Sequence, residues 1–435
     1  MKKSLQGIAV LACAALLAMP ALAEDTVIHA GHLLDRPGKA PRGASTLLVR
    51  DGRISAVEEG FLEPAALGAA GARVVDLRER FVLPGLIDCH VHLESDTGGV
   101  AGLVEDLTLS DAAIAYHALD NARKTLRAGF TTVRNLGDGT GATLALRDAV
   151  ATGLVEGPRI VDAGRSISTT SGHMDAWLGL REDLHGSIAH DNVCDGVASC
   201  RRAVRLQVGR GVDLIKIATT GGVNSRIGTG LGAQAFEDEV RALVDTAHLY
   251  GKKVAVHAHG ADGIRLALAA GADSIEHGTM LGEEEIRLFL KSKAYYVPTL
   301  STVNGYIERL AANPDAYSPE VKAKIEWRIG VTGKSLQAAF PRGVKIAFGT
   351  DAGVSKHGRN ADEFELMVKN GMPAAEAIVA ATVNAAELLG LGAEIGSLEP
   401  GKRADLIAVE GDPLDDVTVL KNMVWVMKDG RQIGL

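Results

Sequence analysis

Short apolar segments that alternate with longer helical stretches constrain the fold of this chain more than any other feature. Eight of them lie between residues 83 and 351, at 85–92, 131–136, 159–163, 213–218, 253–259, 272–277, 295–299 and 344–351. Buried parallel strands with helical connections are typical of α/β proteins, and eight of them predict a closed (β/α)8 TIM barrel. A doubly wound open sheet is the alternative, although neither a GxGxxG motif after the first segment nor a P-loop sequence is present.

The two ends of the chain have a β-like pattern instead. Short segments with strand character occur at 27–30, 46–50, 53–57, 73–77, 404–409 and 424–427. Asp51-Gly52 and Asp429-Gly430 are two-residue hairpin signals. We therefore predict that residues 24–82 and 398–435 together form a small β-sandwich, and that residues 83–397 form the barrel.

Residues 1–23 have the pattern of a signal peptide. Lys2 and Lys3 precede an apolar run over 7–19, and Ala21-Leu22-Ala23 fits a cleavage site, so we expect an exported protein, periplasmic or secreted. An uncleaved anchor and a lipoprotein modified at Cys13 are the alternatives; the apolar run is short for a membrane span. In an oxidising compartment Cys194 and Cys200 could form a disulfide, which spacing alone leaves open.

Charge and composition argue against two classes of partner. The formal net charge is −8, no basic cluster follows the N-terminus, and aromatic residues make up only 4% of the chain, so we expect no nucleic-acid partner. No later segment has an apolar run long enough for a membrane helix, so we expect no membrane contact after signal cleavage.

Polar side chains gather near the carboxyl ends of the predicted strands, where barrel enzymes carry their active sites. These side chains are His90, His92, Lys216, His257, His259, His277 and Asp351. His90 and His92 are two residues apart, so in a strand they point to the same face. Taken singly, each residue has a structural explanation, such as a turn for Asp351 or a solvent-reaching side chain for Lys216. Taken together, they predict a metal site.

Lys216 interrupts the apolar sequence Leu-Ile-Lys-Ile, where a charged amine is costly unless it is paired or modified. Carboxylation of its amine by CO2 would create an anion able to bridge two cations. With four histidines and one aspartate, this set would serve two zinc-like ions, which lower the pKa of a shared water. Other divalent metals also accept such ligands.

Several motifs resemble those of the amidohydrolase superfamily, and in particular its imidazolonepropionase-like zinc dipeptidase and carboxypeptidase branch, which includes ochratoxin-hydrolysing amidases. The motifs are Pro-Gly-Leu-Ile-Asp-Cys-His-Val-His over 84–92, Ile-Lys-Ile over 215–217, Val-His-Ala-His-Gly over 256–260, Ser-Ile-Glu-His-Gly over 274–278, Gly-Thr-Asp over 349–351 and Leu-Glu-Pro-Gly-Lys-Arg-Ala-Asp-Leu over 398–406. Together they cover nearly all of the mature chain.

The resemblance implies a role for each residue. His90, His92 and Asp351 would hold one zinc, His257 and His277 the other, and carboxylated Lys216 would bridge them. Asp351 would also take a proton from the attacking water and pass it to the leaving amine. His259 would assist catalysis by hydrogen-bonding the substrate; in the reversed assignment, His259 replaces His257 as a ligand.

Two further residues are candidates for substrate contact. His173 lies in the sequence Ser-Gly-His-Met-Asp, which resembles the family's Gly-His-Gly-Asp segment except at Met174. Arg226 could bind a carboxylate with its guanidinium fork. For either residue an ordinary loop position is an equally good explanation, and His357 is a weaker candidate.

We therefore predict an exported binuclear zinc amidohydrolase that releases a C-terminal amino acid from a dipeptide, an N-acyl amino acid or an ochratoxin A-type phenylalanine amide. A cyclic-amide or lactam hydrolase with the same metal centre is the alternative. A non-catalytic binding protein on the same barrel would be expected to lack a ligand, and none is missing. By analogy with the family we also expect a homo-oligomer.

Overall fold

The computed structural model describes residues 25–225 and 230–435. The predicted signal peptide, at 1–23, and Arg226 lie outside these residues. The described strands are β1 Thr26–Leu33, β2 Ser45–Arg50, β3 Arg53–Glu59, β4 Arg73–Pro84, β5 Leu86–Val91, β6 Phe130–Asn135, β7 Arg159–Asp162, β8 Ile215–Ala218, β9 Val254–Ala258, β10 Ser274–His277, β11 Tyr295–Val297, β12 Leu406–Val409, β13 Met423–Lys428 and β14 Arg431–Ile433.

Helices separate most of the central strands, as the sequence predicts for an α/β protein. The described α-helices are α1 Gly99–Thr108, α2 Asp111–Arg127, α3 Ala142–Ala151, α4 Glu182–His185, α5 Val197–Gly209, α6 Glu237–Leu249, α7 Ala261–Ala270, α8 Glu283–Lys291, α9 Thr302–Ala312, α10 Pro319–Val331, α11 Lys334–Ala339, α12 Asp362–Lys369, α13 Ala374–Val379 and α14 Ala385–Leu389. None of these described helices is both long enough and apolar enough to cross a membrane.

Strands from both ends of the chain pair in one mixed sheet of seven strands, in the order β14-β13-β12-β4-β1-β2-β3. Both predicted hairpins are present. Asp51 and Gly52 have φ values of 48° and 73°, and Asp429 and Gly430 have values of 48° and 75°. Two successive positive φ values match the right-handed twist of the flanking strands, which is why Asp-Gly is favoured there. The second layer of the predicted sandwich stays a prediction.

The central strands form two parallel sheets, β5-β6-β7 and β8-β9-β10-β11. A parallel bridge between Ile167 and Ile217 joins the segment after β7 to β8. The eighth predicted strand, 344–351, is not a regular strand in the structure. It makes single parallel bridges instead, Ile346 with Tyr296 of β11 and Ala352 with Val91 of β5. Asp351 at its end has a φ of 59°, outside the β region, so a regular strand cannot continue through this residue.

The core lies between the parallel strands and their helices. Leu86, Phe130, Val133 and Ile215 are essentially inaccessible to solvent and belong to one hydrophobic cluster. A disulfide joins Cys194 to Cys200, with 4.8 Å between their Cα atoms, and so decides the pairing that the sequence left open. Cys89 is a buried free cysteine.

Arg159, at the start of β7, connects the parallel strands to the sheet built from the chain ends. Its guanidinium donates to the Thr132 hydroxyl at 2.9 Å, to Asp405 at 2.7 Å and to Asp429 at 2.6 Å. The Asp405 side chain is 4% exposed and that of Arg159 is 18% exposed. Water therefore cannot readily solvate the Asp405 carboxylate when this ion pair is broken.

We expect Arg159→Met to lower the free energy of unfolding by about 2–4 kcal/mol, because the mutation leaves Asp405 buried without its cation. Urea denaturation followed by circular dichroism measures the change. Arg78→Met is the matched control, since Arg78 pairs with Asp76 at an exposed position and its loss should matter little. Equal urea midpoints for wild type and Arg159→Met would contradict the connecting role.

Candidate metal centre

The metal-type side chains predicted from the sequence line one cavity of about 210 Å³. All seven are present in its wall: His90, His92, Lys216, His257, His259, His277 and Asp351. They come from β5, β8, β9 and β10, from the residues directly after β5 and β9, and from the 344–352 segment. Because the parallel strands all run in one direction, side chains near their carboxyl ends meet at one side of the sheets.

Asp351 lies between His90 and His92. Its Oδ1 is 3.5 Å from His90 Nε2 and 3.3 Å from His92 Nε2. The donor atoms of His90, His277 and Asp351 all lie within 4.8 Å of one another, close enough to share a cation. His92 is set slightly outward, with a side chain that is 31% exposed.

The second group of donors consists of His257, His259 and His277, whose ring nitrogens also lie within 4.8 Å of one another. In each ring one nitrogen already has a partner. His259 Nδ1 contacts the Thr279 hydroxyl at 2.8 Å, His277 Nδ1 contacts the Thr299 hydroxyl at 2.7 Å, and His257 Nε2 lies 3.4 Å from the Gly221 carbonyl. Such contacts orient an imidazole and leave its other nitrogen for a metal. His257 and His259 are equally suited by this criterion.

Burial keeps these imidazoles neutral. It lowers the pKa of His90 to about 4, with the positive charge of Lys216 contributing, and it places the pKa values of His257, His259 and His277 well below the ordinary value. Burial alone would raise the pKa of Asp351, but His90, His92 and Lys216 outweigh it and the pKa falls to about 2. Neutral imidazoles and an anionic carboxylate are the forms that bind divalent ions.

Lys216 is the strongest indication that protein atoms alone do not complete this site. Its side chain is completely buried, and its Nζ has no hydrogen-bond partner among the described residues. Burial lowers the pKa of the amine to about 8, which leaves part of it in the uncharged, nucleophilic form near neutral pH. A buried amine without a partner is costly, and both carboxylation and metal binding would remove that cost.

A buried charge network beneath the donors escaped the sequence analysis. Glu276 Oε2 is 2.9 Å from His90 Nδ1, and the Arg134 guanidinium donates to Glu276 Oε1 at 2.8 Å. Burial would raise the pKa of Glu276, but Arg134 and His90 lower it to about 2. This carboxylate fixes the orientation of the His90 ring, so that Nε2 faces Asp351. Glu276 stood in the recognised Glu-His-Gly motif, but no local signal ties it to Arg134, 142 residues earlier.

Unusual backbone conformations are concentrated at the same place. Besides the two hairpin aspartates, the described non-glycine residues with positive φ are Ser171, His277, Thr299 and Asp351. His277 and Asp351 belong to the donor set, and Thr299 holds the His277 ring. Such conformations cost of order 1–3 kcal/mol each, and they persist where the surrounding structure imposes them for a functional reason.

Of the three candidates for substrate contact, one lines the cavity, one lies outside the described residues and one lies elsewhere. His173 reaches the cavity, where its ring lies 4.1 Å from that of His257 and its Nδ1 is 2.8 Å from the Ser225 hydroxyl. Arg226 lies outside the described residues, so its role stays a prediction. His357 does not line this cavity; it contacts the His92 carbonyl at 3.0 Å and the Thr125 hydroxyl at 3.2 Å, and therefore supports the strand.

Two charged or polar residues of the cavity wall, both on helices, stand out among those that were not predicted. Arg328 and Tyr306 both line the cavity and are almost fully buried. They belong to α10 and α9, and the sequence around them is an ordinary amphipathic pattern. Only the packing of these helices over the carboxyl ends of the strands brings them to the site.

Comparison with known proteins agrees with this geometry. The model of the amidohydrolase family matches residues 81–433. Ochratoxinase from Aspergillus niger is 32% identical over 427 residues, which cover 94% of this chain and 86% of that protein. The crystal structure of a Xaa-Pro dipeptidase with methionine bound in its active site superposes with a TM-score of 0.89 at 40% identity, covering 95% of this chain and 100% of the other. A prolidase complexed with N-methylphosphonate-L-proline has a TM-score of 0.84 at 31% identity, covering 94% and 99%.

We expect Lys216→Ala to weaken the binding of divalent metal by about 100-fold or more, because the change removes a donor from the centre of the site. Metal analysis after dialysis against a graded chelator series measures the loss. Lys293→Ala, at an exposed position, is the control. Two tightly bound ions and full activity in Lys216→Ala would rule out a bridging role.

We expect Glu276→Gln to lower metal affinity by about 10- to 100-fold, since a neutral amide no longer orients His90 as an anion does and leaves Arg134 unpaired. The same chelator series gives the affinity, and Glu284→Gln provides an exposed control in α8. Unchanged affinity would mean that the network serves folding alone.

Proposed function

The chain belongs to the amidohydrolase family, and from that membership we propose that it releases a C-terminal amino acid by hydrolysing an amide bond. The substrate would be a dipeptide, an N-acyl amino acid or an ochratoxin A-type phenylalanine amide. The observation that carries this proposal is the convergence of five histidines, Lys216 and Asp351 on one cavity. The names of ochratoxinase and of the Xaa-Pro dipeptidase indicate enzymes that act on ochratoxin and on dipeptides, which supports this substrate range here.

The residues present fit a pair of divalent ions, for which zinc is our proposal. His90, His92 and Asp351 would hold one ion, His257 and His277 the other, and N-carboxylated Lys216 would lie between them. The unpartnered Lys216 Nζ in the middle of the donor set supports this arrangement. His259 is the alternative to His257, since its free ring nitrogen is as close to the group.

Bound divalent ions would polarise the amide carbonyl and lower the pKa of a water molecule. The protein's own groups supply the rest of the chemistry. Asp351 is held as an anion next to His90 and His92, so it can accept a proton from the attacking water. It would then return that proton to the amide nitrogen as the C–N bond breaks, which makes the amine a viable leaving group. His259 and His173 line the cavity, and in this proposal they would hydrogen-bond the substrate.

A second cavity of about 480 Å³ adjoins the first, and the two share His92 and Met174. Its wall includes apolar residues such as Leu103, Leu107 and Leu180. We assign the acyl part of the substrate to this larger cavity and the leaving amino acid to the smaller one. A scissile bond at the junction would then lie beside His92 and Asp351.

The proposal also covers the architecture and the location of the protein. The bridges from β7 to β8, and from the 344–352 segment to both β5 and β11, support a closed (β/α)8 barrel. We propose this barrel for residues 83–397 and a composite β-sandwich for residues 24–82 and 398–435. Export after cleavage at Ala23, a periplasmic or secreted location and a homo-oligomeric state are also proposals; the disulfide between Cys194 and Cys200 supports the first two.

The substrate class is tested with the mature protein in its zinc-loaded form. It is incubated with dipeptides, N-acyl amino acids, ochratoxin A and cyclic amides, and the products are identified by mass spectrometry. Release of a free C-terminal amino acid supports the proposal. Ring opening without amino acid release would establish the cyclic-amide alternative, and no turnover of any compound would overturn the proposed substrate class.

We expect Asp351→Asn to lower kcat by about 10²- to 10⁴-fold, because an amide cannot accept the proton from water. Steady-state kinetics on the best substrate measure the effect, with metal content determined in parallel because Asp351 is also a proposed ligand. Asp415→Asn is an exposed control. A near-normal kcat would exclude Asp351 as the base.

A further inference from the structure

Arg328 places a buried positive charge in the wall of the metal cavity. Helix α10 begins after Ser318, whose hydroxyl accepts from the Val321 amide, and it turns Val321, Ile325 and Arg328 toward the interior. This spacing is one face of a helix. Arg328 is only 3% exposed, yet it lines the cavity together with Tyr306 and the metal-type donors.

The guanidinium has no anionic partner. Its hydrogen bonds go to the carbonyls of Pro298 and Thr299, at 3.4 and 3.2 Å, and to the Thr332 hydroxyl at 3.5 Å. No carboxylate of the described residues forms an ion pair with it, although arginines such as Arg134 and Arg159 do have such partners. A buried guanidinium whose direct hydrogen bonds all go to neutral groups is costly, and a carboxylate entering the cavity would complete its coordination.

Lys216 belongs to the proposed metal centre, and two further cations near the cavity are already engaged. Lys324, one helical turn before Arg328, donates to the carbonyls of Gly222 and Ser225 at 3.0 and 2.8 Å. Arg309 donates to the carbonyls of Asp96 and Gly353 and to Tyr317. Among the described residues, Arg328 is therefore the guanidinium that faces the cavity with donors to spare.

The positive charge of Arg328 affects the pKa of His259 in the same cavity. Burial is the main cause of the low pKa of His259, and the positive charge of Arg328 is the next. Burial also lowers the pKa of Arg328 itself, while Tyr296, Tyr306, Glu363 and Asp351 act in the opposite direction. The guanidinium thus shares one electrostatic environment with the groups proposed to act on the amide bond. Val223, Val354 and Tyr306 give this part of the cavity an apolar lining suited to a side chain.

We propose that Arg328 binds the α-carboxylate of the leaving amino acid and thereby restricts the enzyme to amides with a free C-terminal carboxylate. The planar fork of arginine matches a carboxylate in bidentate fashion, which also fixes the orientation of the scissile bond. This inference rests on the proposed amide hydrolysis and deepens it. It assigns binding of the substrate carboxylate to Arg328 in α10, whereas the sequence analysis had suggested Arg226 for this role.

A purely structural role for Arg328 makes a different prediction. Its bonds to the Pro298 and Thr299 carbonyls support the segment that holds the His277 ring. If that support were its whole function, substitution would impair all substrates alike and would weaken metal binding. Anchoring of a carboxylate instead affects only ligands that carry one.

The test compares the best substrate of the panel with its C-terminal amide, using zinc-loaded wild type, Arg328→Lys and Arg328→Met. We expect wild type to prefer the free acid, and Arg328→Met to lose about 100-fold in kcat/KM for the acid, mainly through KM, with at most a few-fold change for the amide. For Arg328→Lys we expect a kcat/KM for the acid between those of wild type and Arg328→Met, because lysine keeps the positive charge but lacks the planar guanidinium fork. Arg287→Met, at an exposed position in α8, is the control.

Calorimetric binding of L-phenylalanine, L-methionine and their amides gives a readout that does not depend on turnover. We expect zinc-loaded wild type to bind the free amino acids about 100-fold more tightly than the amides, and Arg328→Met to lose this difference at unchanged metal content. Equal binding of acid and amide by wild type would overturn the inference even if both variants failed to fold. Equal losses on acid and amide in Arg328→Met would do the same. Failure of the proposed function is a separate result, namely that wild type releases no amino acid from any compound.

Discussion

The burial of Glu276 between Arg134 and His90 is the interaction on which the rest of the site depends. It joins three strands, since Arg134 lies in β6, Glu276 in β10 and His90 in β5. Removing Arg134 or Glu276 would leave the other as a charge in the interior without a partner, at a cost of about 3–5 kcal/mol. The fold and the metal centre are thus stabilised by the same contact, because the carboxylate that neutralises Arg134 also orients His90.

A second buried carboxylate performs a similar task on the other side of His90. Asp88 accepts hydrogen bonds from the Thr350 amide and hydroxyl and from Asn360, at 3.1, 2.6 and 2.8 Å. These bonds attach the irregular 344–352 segment to β5 directly before Asp351. The positive φ of Asp351 is therefore imposed by neighbours on both sides, which is how a strained backbone can persist at a reaction centre.

The distribution of charge explains how one cavity could both cleave an amide and select its substrate. Neutral imidazoles and anionic Asp351 lie at the bottom, and Arg328 lies in a helix that packs over the strands. In the proposed function, the two cavities that share His92 and Met174 would give the acyl and amine parts of a substrate separate surroundings. Changes in the second cavity can then alter the acyl preference while the reacting groups stay in place, as is common for barrel enzymes whose loops vary.

Much of this protein is determined by sequence that acts locally. The Asp-Gly hairpins and the short apolar strands follow from turn chemistry and side-chain alternation, and both hairpins and seven of the eight central strands were predicted at the correct positions. Tertiary structure decided what depends on contacts between distant residues. The pairing of Arg134 with Glu276, the role of His357 as a support, the irregular backbone of 344–351 and the arrival of Arg328 in the cavity have no local signal. Each arises because helices and strands far apart in sequence pack together, and burial then determines which charges must find a partner.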